Sequence, residues 1–227
     1  MRLPVKAVLS DGGNILFSDE GVKRGPYDQI KHHIPDLSYE DFRDGFRAYK
    51  TRAQTEPGYD TKDALRDYLS ELGHAEVFAA VQKSKGRSKR TLELIAGVKE
   101  TLQSFYESGI PFIVLTDATK RGEELKPFLD RLDIGDYVTD IISSKDVGAR
   151  KPHPRFFETA LEKYSLEKED VIFIAHDDDE LAGASDLGIR VYAFNYEENQ
   201  DLSYLPEECK LQDFRELIKI VLGDSNE

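Results

Sequence analysis

The chain has 227 residues, 39% of them hydrophobic, and its 44 acidic against 31 basic side chains give a formal charge of −13. So acidic a surface does not attract a nucleic-acid backbone, no apolar run approaches the ~20 residues of a membrane helix, and the lone Cys209 excludes an intrachain disulfide or a cysteine zinc cluster. The opening MRLPVKAVLSDGG lacks the apolar segment of a signal peptide, so a soluble cytoplasmic protein is expected, a monomer or homodimer with neither nucleic acid nor membrane as partner.

In chain order, the apolar run 6–10 predicts a first strand, followed by Asp11-Gly12-Gly13-Asn14. Residues 19–91 then change character. They are close to neutral, while the rest of the chain carries the excess acid, and no strand pattern appears in them. Ser38 opens a capping-box-like S-Y-E-D ahead of Phe42, Phe46 and Tyr49, which share one helical face. Thr61 starts a second helix carrying Leu65, Tyr68, Leu69 and Leu72, and 75–82 reads as a third. The aromatic stripes predict a small core belonging to this module, with His32 and His33 on its surface. The basic run 83–90 reads as a solvated hinge where the chain leaves the module.

Beyond it, a helix over 98–108 closed by Gly109 precedes a strand over 112–115 and then Thr116-Asp117. A helix over 122–132 containing Pro127 is followed by a strand over 140–143 and a loop ending Arg150-Lys151-Pro152. A helix over 154–164, begun by a proline, leads to a strand over 171–175 and to His176-Asp177-Asp178-Asp179-Glu180. Helix 180–187, strand 190–194 and helix 211–222 complete the pattern. Short strands apolar on both faces, alternating with helices, predict an α/β fold with a Rossmann-like parallel sheet. The expected division is a core of 1–18 with 92–227 and an inserted α-helical cap of 19–91.

In such sheets ligands bind beyond the carboxyl ends of the strands. Those ends carry Asp11, Thr116, Lys151 and an acidic cluster, in that order. The set resembles the haloacid dehalogenase (HAD) superfamily, in particular its subfamily I members with a helical C1-type cap and a D-x-G-N variant of the first motif. The resemblance implies a hydrolase, specifically a phosphatase acting on a small phosphorylated metabolite. Asp11 would be the nucleophile that forms an aspartyl-phosphate, with Thr116 and Lys151 anchoring the phosphoryl group. Asn14 and Asp117 fall in the implied substrate-binding set. The implied cofactor is Mg²⁺, with Asp11, the Gly13 carbonyl, Asp177 and Glu180 as the candidate metal-site residues.

Three residues depart from the family pattern. Gly13 stands where a second aspartate would protonate the leaving oxygen, a role worth about 10²–10⁴ in rate. Asp117 replaces an asparagine; pointing inward it opposes phosphate binding, and an outward orientation is expected. His176 stands at the usual first metal-binding aspartate, where an imidazole suits Mg²⁺ poorly, so Asp177 is expected to take over through a shift of the loop. His176 would instead suit a transition metal, or hydrogen-bond locally while Asp178 caps the next helix. Two alternatives stay open: a metal-independent, dehalogenase-like hydrolase, and a catalytically degenerate fold kept for binding or regulation.

Overall fold

Six strands alternate with helices and hydrogen-bond into one sheet, all in parallel, in the order β3-β2-β1-β4-β5-β6. They are β1 (Ala7–Ser10), β2 (Phe112–Thr116), β3 (Asp140–Ser143), β4 (Val171–Ala175), β5 (Arg190–Phe194) and β6 (Lys210–Leu211). The computed structural model describes residues 4–18, 25–83 and 92–223. Side chains alternate across the pleat, so each strand feeds two cores. Val8, Val114, Ile172, Ile174 and Tyr192 line one face; Leu9, Ile113, Leu115, Phe173 and Ala175 line the other. Burial on both faces explains why these segments read as unbroken apolar runs.

After β1, described residues 25–83 carry the helices α1 (Gly25–Ile30), α2 (Tyr39–Thr55), α3 (Thr61–Glu71) and α4 (Ala75–Lys83). Ser38 caps α2 by accepting from the Asp41 backbone N–H, and Asp60 forms a reciprocal capping box with Asp63 at the start of α3. The apolar faces of these helices close on a separate cluster that includes Ile30, Phe42, Phe46, Leu65, Tyr68, Leu69 and Val81. The aromatic stripe therefore serves packing, and His32 and His33 are exposed, both as expected.

Next come α5 (Val98–Glu107), α6 (Gly122–Arg131), α7 (Ser144–Val147), α8 (Pro154–Tyr164), α9 (Asp178–Asp186) and α10 (Glu216–Leu222). Val98, Leu102, Phe105, Leu129 and Leu217 cover one face of the sheet; Phe156, Phe157, Leu181 and Ala184 cover the other. None of the helices among the described residues is long and apolar enough to cross a membrane.

Several expectations need correction. Helix α10 does not begin at Leu211: Lys210 and Leu211 pair with Ala193 and Phe194 as a sixth strand, and Leu211 is buried in the core. The Glu216 side chain then accepts from the backbone N–H groups of Gln212 and Asp213, both at 2.8 Å, and the helix starts there. The short helices α1 and α7 went unanticipated, because neither is long enough to show a helical period. Pro127, a residue expected to kink or shorten its helix, lies inside α6. Of the basic run, Lys83 closes α4, while 84–90 lie outside the described residues.

One close approach matters for the site. A Cβ on Gly183 in α9 would stand 2.5 Å from the Cβ of Pro152 and 2.9 Å from its carbonyl oxygen, so only glycine lets α9 lie against the segment that carries Lys151. Gly183→Ala is expected to cost about 1–3 kcal/mol by overpacking. A urea midpoint equal to that of the wild type would contradict this packing.

Candidate active site

The register of the central strands assembles the site. Ser10 of β1 lies opposite Val114 of β2 and Ile174 of β4, and the Asp11 backbone N–H donates to the Ile174 carbonyl at 2.8 Å. Asp11, Thr116 and His176 therefore emerge at one edge. Asp11 is largely buried, and Gly12 beside it faces the Thr116 hydroxyl: a Cβ there would sit 3.6 Å from Thr116 Oγ1. The Asn14 backbone adopts φ 58°, and its carbonyl accepts from Asn195 Nδ2 at 2.8 Å, which fixes the turn after β1 against the segment after β5.

Lys151 reaches this edge from the loop before α8. Its ammonium has 0% exposure and lies 2.5 Å from Asp11 Oδ1 and 2.7 Å from Glu180 Oε2. Burial works against the charge, but the carboxylates of Asp11, Glu180 and Asp117 outweigh it and hold the lysine pKa above its ordinary value. Glu180 goes the other way. Burial pushes its pKa up to about 8, opposed by Lys151 and reinforced by the negative charge of Asp11. An ion-pair distance and a raised carboxyl pKa look contradictory, but one ammonium cannot neutralise two buried carboxylates. Asp11 makes the shorter contact, and Glu180 keeps the proton.

The remaining expected residues take up separate duties around this pair. His176 Nε2 lies 3.6 Å from Asp11 Oδ2, on the side away from Lys151's contact with Oδ1. Asp177 caps α9 by accepting from the Asp179 backbone N–H at 3.2 Å, so it takes the capping place expected of Asp178, although Asp178 also accepts from that group at 3.0 Å. The carboxylates of Asp177, Asp178 and Asp179 cluster at the start of α9. Asp117 does not point outward. It accepts from Arg150 Nε at 3.2 Å and from the Lys151 backbone N–H at 3.3 Å, because a half-buried acid needs partners and the neighbouring loop supplies both.

The helices of 25–83 contribute residues that composition and spacing did not single out. Gln54, near the end of α2 and 1% exposed, donates from Nε2 to the Asp117 carbonyl at 2.8 Å. Thr51 accepts from Arg150 Nη1 at 3.0 Å, and Thr61 meets Thr119 at 2.8 Å. Lys145 of α7 donates to the carbonyls of Ala53 at 3.0 Å and Tyr59 at 2.7 Å, and to that of Glu56, where α2 ends. The one available signal was Gln54 itself, a polar residue two helical turns beyond Phe46 on an otherwise apolar face.

A family model described as haloacid dehalogenase-like hydrolase matches residues 38–194. The phosphoglycolate phosphatase of Pectobacterium atrosepticum is 34% identical over 114 residues, covering 48% of this chain and 48% of that one. The chain spans about half the length of the curated relatives it matches. Among solved structures, a predicted phosphoglycolate phosphatase from Haemophilus somnus superposes with a TM-score of 0.64 at 17% identity, over 95% of this chain and 97% of that one. The L-2-haloacid dehalogenase of Xanthobacter autotrophicus gives 0.63 at 15% identity, over 97% and 100%. At such identities the structural likeness is one of fold.

The raised Glu180 pKa has a consequence for stability. Between its ordinary 4.5 and about 8, the folded state holds a proton at Glu180 that the unfolded state has lost, so this group makes stability fall as pH rises through that window. Glu180→Gln is expected to remove that part of the slope. Urea denaturation at a series of pH values measures it, and an unchanged slope in the variant would contradict the assignment.

Proposed function

The chain belongs to the haloacid dehalogenase-like hydrolase family, and within it we propose a phosphoric monoester hydrolase that acts on a small phosphorylated metabolite through an aspartyl-phosphate at Asp11. One observation carries this reading: a carboxylate at the end of the central strand β1, held by a wholly enclosed lysine. A buried ammonium beside a nucleophilic oxygen is placed to offset the charge that gathers as a phosphoryl group transfers.

In the first step an Asp11 carboxylate oxygen attacks phosphorus in line. The ester P–O bond breaks with its electron pair on the alcohol oxygen, which takes a proton from water, since Gly13 has no side chain to give one. Water then attacks the aspartyl-phosphate, releasing inorganic phosphate and restoring the carboxylate. Lys151 stabilises both transfers, and the Thr116 hydroxyl donates to a phosphoryl oxygen. Asn14 shapes the turn beside the substrate. Asp117 acts through Arg150 and the Lys151 backbone as a positioning residue.

The division into a core of 1–18 with 92–227 and a cap of 19–91 suits this chemistry. Helices that close over the site exclude water and select the substrate. Thr51, Gln54 and Thr61 are among the cap residues that meet the core beside it. A phosphorylated metabolite as substrate goes with a cytoplasmic location.

Mg²⁺, the ion implied for this family, meets a donor set that does not fit it. Asp11 and the Gly13 carbonyl offer oxygen, but an imidazole stands at the next position, Glu180 is tied to Lys151, and Asp177 caps a helix. No step of the transfer is therefore routed through a metal.

Asp11→Asn is expected to lower hydrolysis of a generic aryl phosphate by about 10³-fold or more, as loss of a covalent nucleophile does. Activity surviving that change would remove Asp11 from the mechanism. A wild-type protein inert toward aryl and alkyl phosphates would favour a binding module on the same fold.

A further inference from the structure

Resting on the hydrolase reading, we propose that His176 occupies the place of a divalent cation beside Asp11, so that the site takes no Mg²⁺ and the phosphoryl group is handled by protein groups alone. Backbone geometry brings the imidazole there. The Asp11 N–H is bonded to the Ile174 carbonyl, and β4 ends at Ala175, so His176 leaves the strand alongside the nucleophile. Its side chain is 19% exposed and therefore largely enclosed.

The Asp11 carboxylate is bracketed by nitrogen. Lys151 Nζ stands at 2.5 Å from Oδ1, and His176 Nε2 at 3.6 Å from Oδ2. A hard cation at Oδ2 would need further oxygen ligands in near-octahedral array. Those nearby have other duties: Glu180 Oε2 lies 2.7 Å from Lys151, and Asp177 accepts from the Asp179 backbone N–H. The three aspartates that do cluster, Asp177 to Asp179, gather at the start of α9 in a group that does not include Asp11.

Nε2 of the imidazole faces Oδ2 and leaves Oδ1, beside Lys151, as the attacking oxygen. His176 acts as a positioning residue: Oδ1 forms the bond to phosphorus, the ester P–O bond breaks, and the alcohol oxygen is protonated by water.

The test is a calorimetric titration of Mg²⁺ into protein stripped with EDTA and dialysed. Wild type is expected to show no saturable binding. His176→Asp, which supplies a carboxylate at the same position, gains it, and the double variant carrying Asp11→Asn as well loses it again. His176→Asn, which adds no carboxylate, stays without Mg²⁺ and so separates a gained ligand from a lost imidazole. In parallel, aryl phosphate turnover by wild type changes less than about twofold between chelator and Mg²⁺, whereas His176→Asp becomes dependent on Mg²⁺ by about 10²-fold. Saturable Mg²⁺ binding by wild type that Asp11→Asn abolishes overturns the proposal, as does inactivation by chelator that Mg²⁺ reverses. Absence of turnover in both conditions, with no Mg²⁺ bound, brings down the hydrolase reading while leaving the placement of His176 intact.

Discussion

One enclosed ammonium organises the carboxyl edge of the sheet. Lys151 comes from the loop before α8, Asp11 from the end of β1 and Glu180 from the first turn of α9, and the three converge within 2.7 Å contacts of Lys151 Nζ. Taking such a charge out of water is tolerable only while its partners stay in place, so the ion group constrains three elements at once. The constraint spreads outward. The Lys151 backbone is held by Asp117, Asp117 pairs with Arg150, and Arg150 and the Asp117 carbonyl are gripped by Thr51 and Gln54 from α2. The helices over the site are thus joined to its chemistry through a chain of polar contacts, each with a named partner.

Much of this was legible in the sequence, for a physical reason. Strands buried on both faces must be apolar throughout, and the residues after them stand at one edge of a parallel sheet. Asp11, Thr116 and Lys151 could therefore be found by looking just past the carboxyl end of each apolar run. Which side chain meets which could not be read. Asp117 was expected to face solvent because residue type and position leave its direction open, and the partners that turned it inward lie more than thirty residues along the chain. The tie between Lys151 and Glu180 was hidden for the same reason. At two residues, β6 is too short for any period to reveal, and the apolar pattern from Leu211 onward imitated a helix.

The distribution of charge also has a local meaning. The excess acid of the chain belongs to the sheet-forming part, and at the site two of its carboxylates meet cations while Asp177, Asp178 and Asp179 cluster beside them. Lys151 answers Asp11, Arg150 answers Asp117, and burial raises the pKa of Glu180. The formal charge of −13 is thus a sum over unlike surroundings. It is a poor guide to what an anion meets at the carboxyl ends of the strands.

The position of β1 in the sheet bears on how the molecule is made. This strand hydrogen-bonds to β2 on one side and β4 on the other, both distant in sequence, whereas among the described residues the cluster of α1 to α4 draws on positions 27–81. Contacts of long sequence separation form late, because each must first repay the entropy of closing a large loop. A chain emerging from the ribosome would hold its first strand without either neighbour while the helices behind it gather their own core. Asp11 is synthesised ahead of both strands that flank its own, and is among the last residues to be given its surroundings.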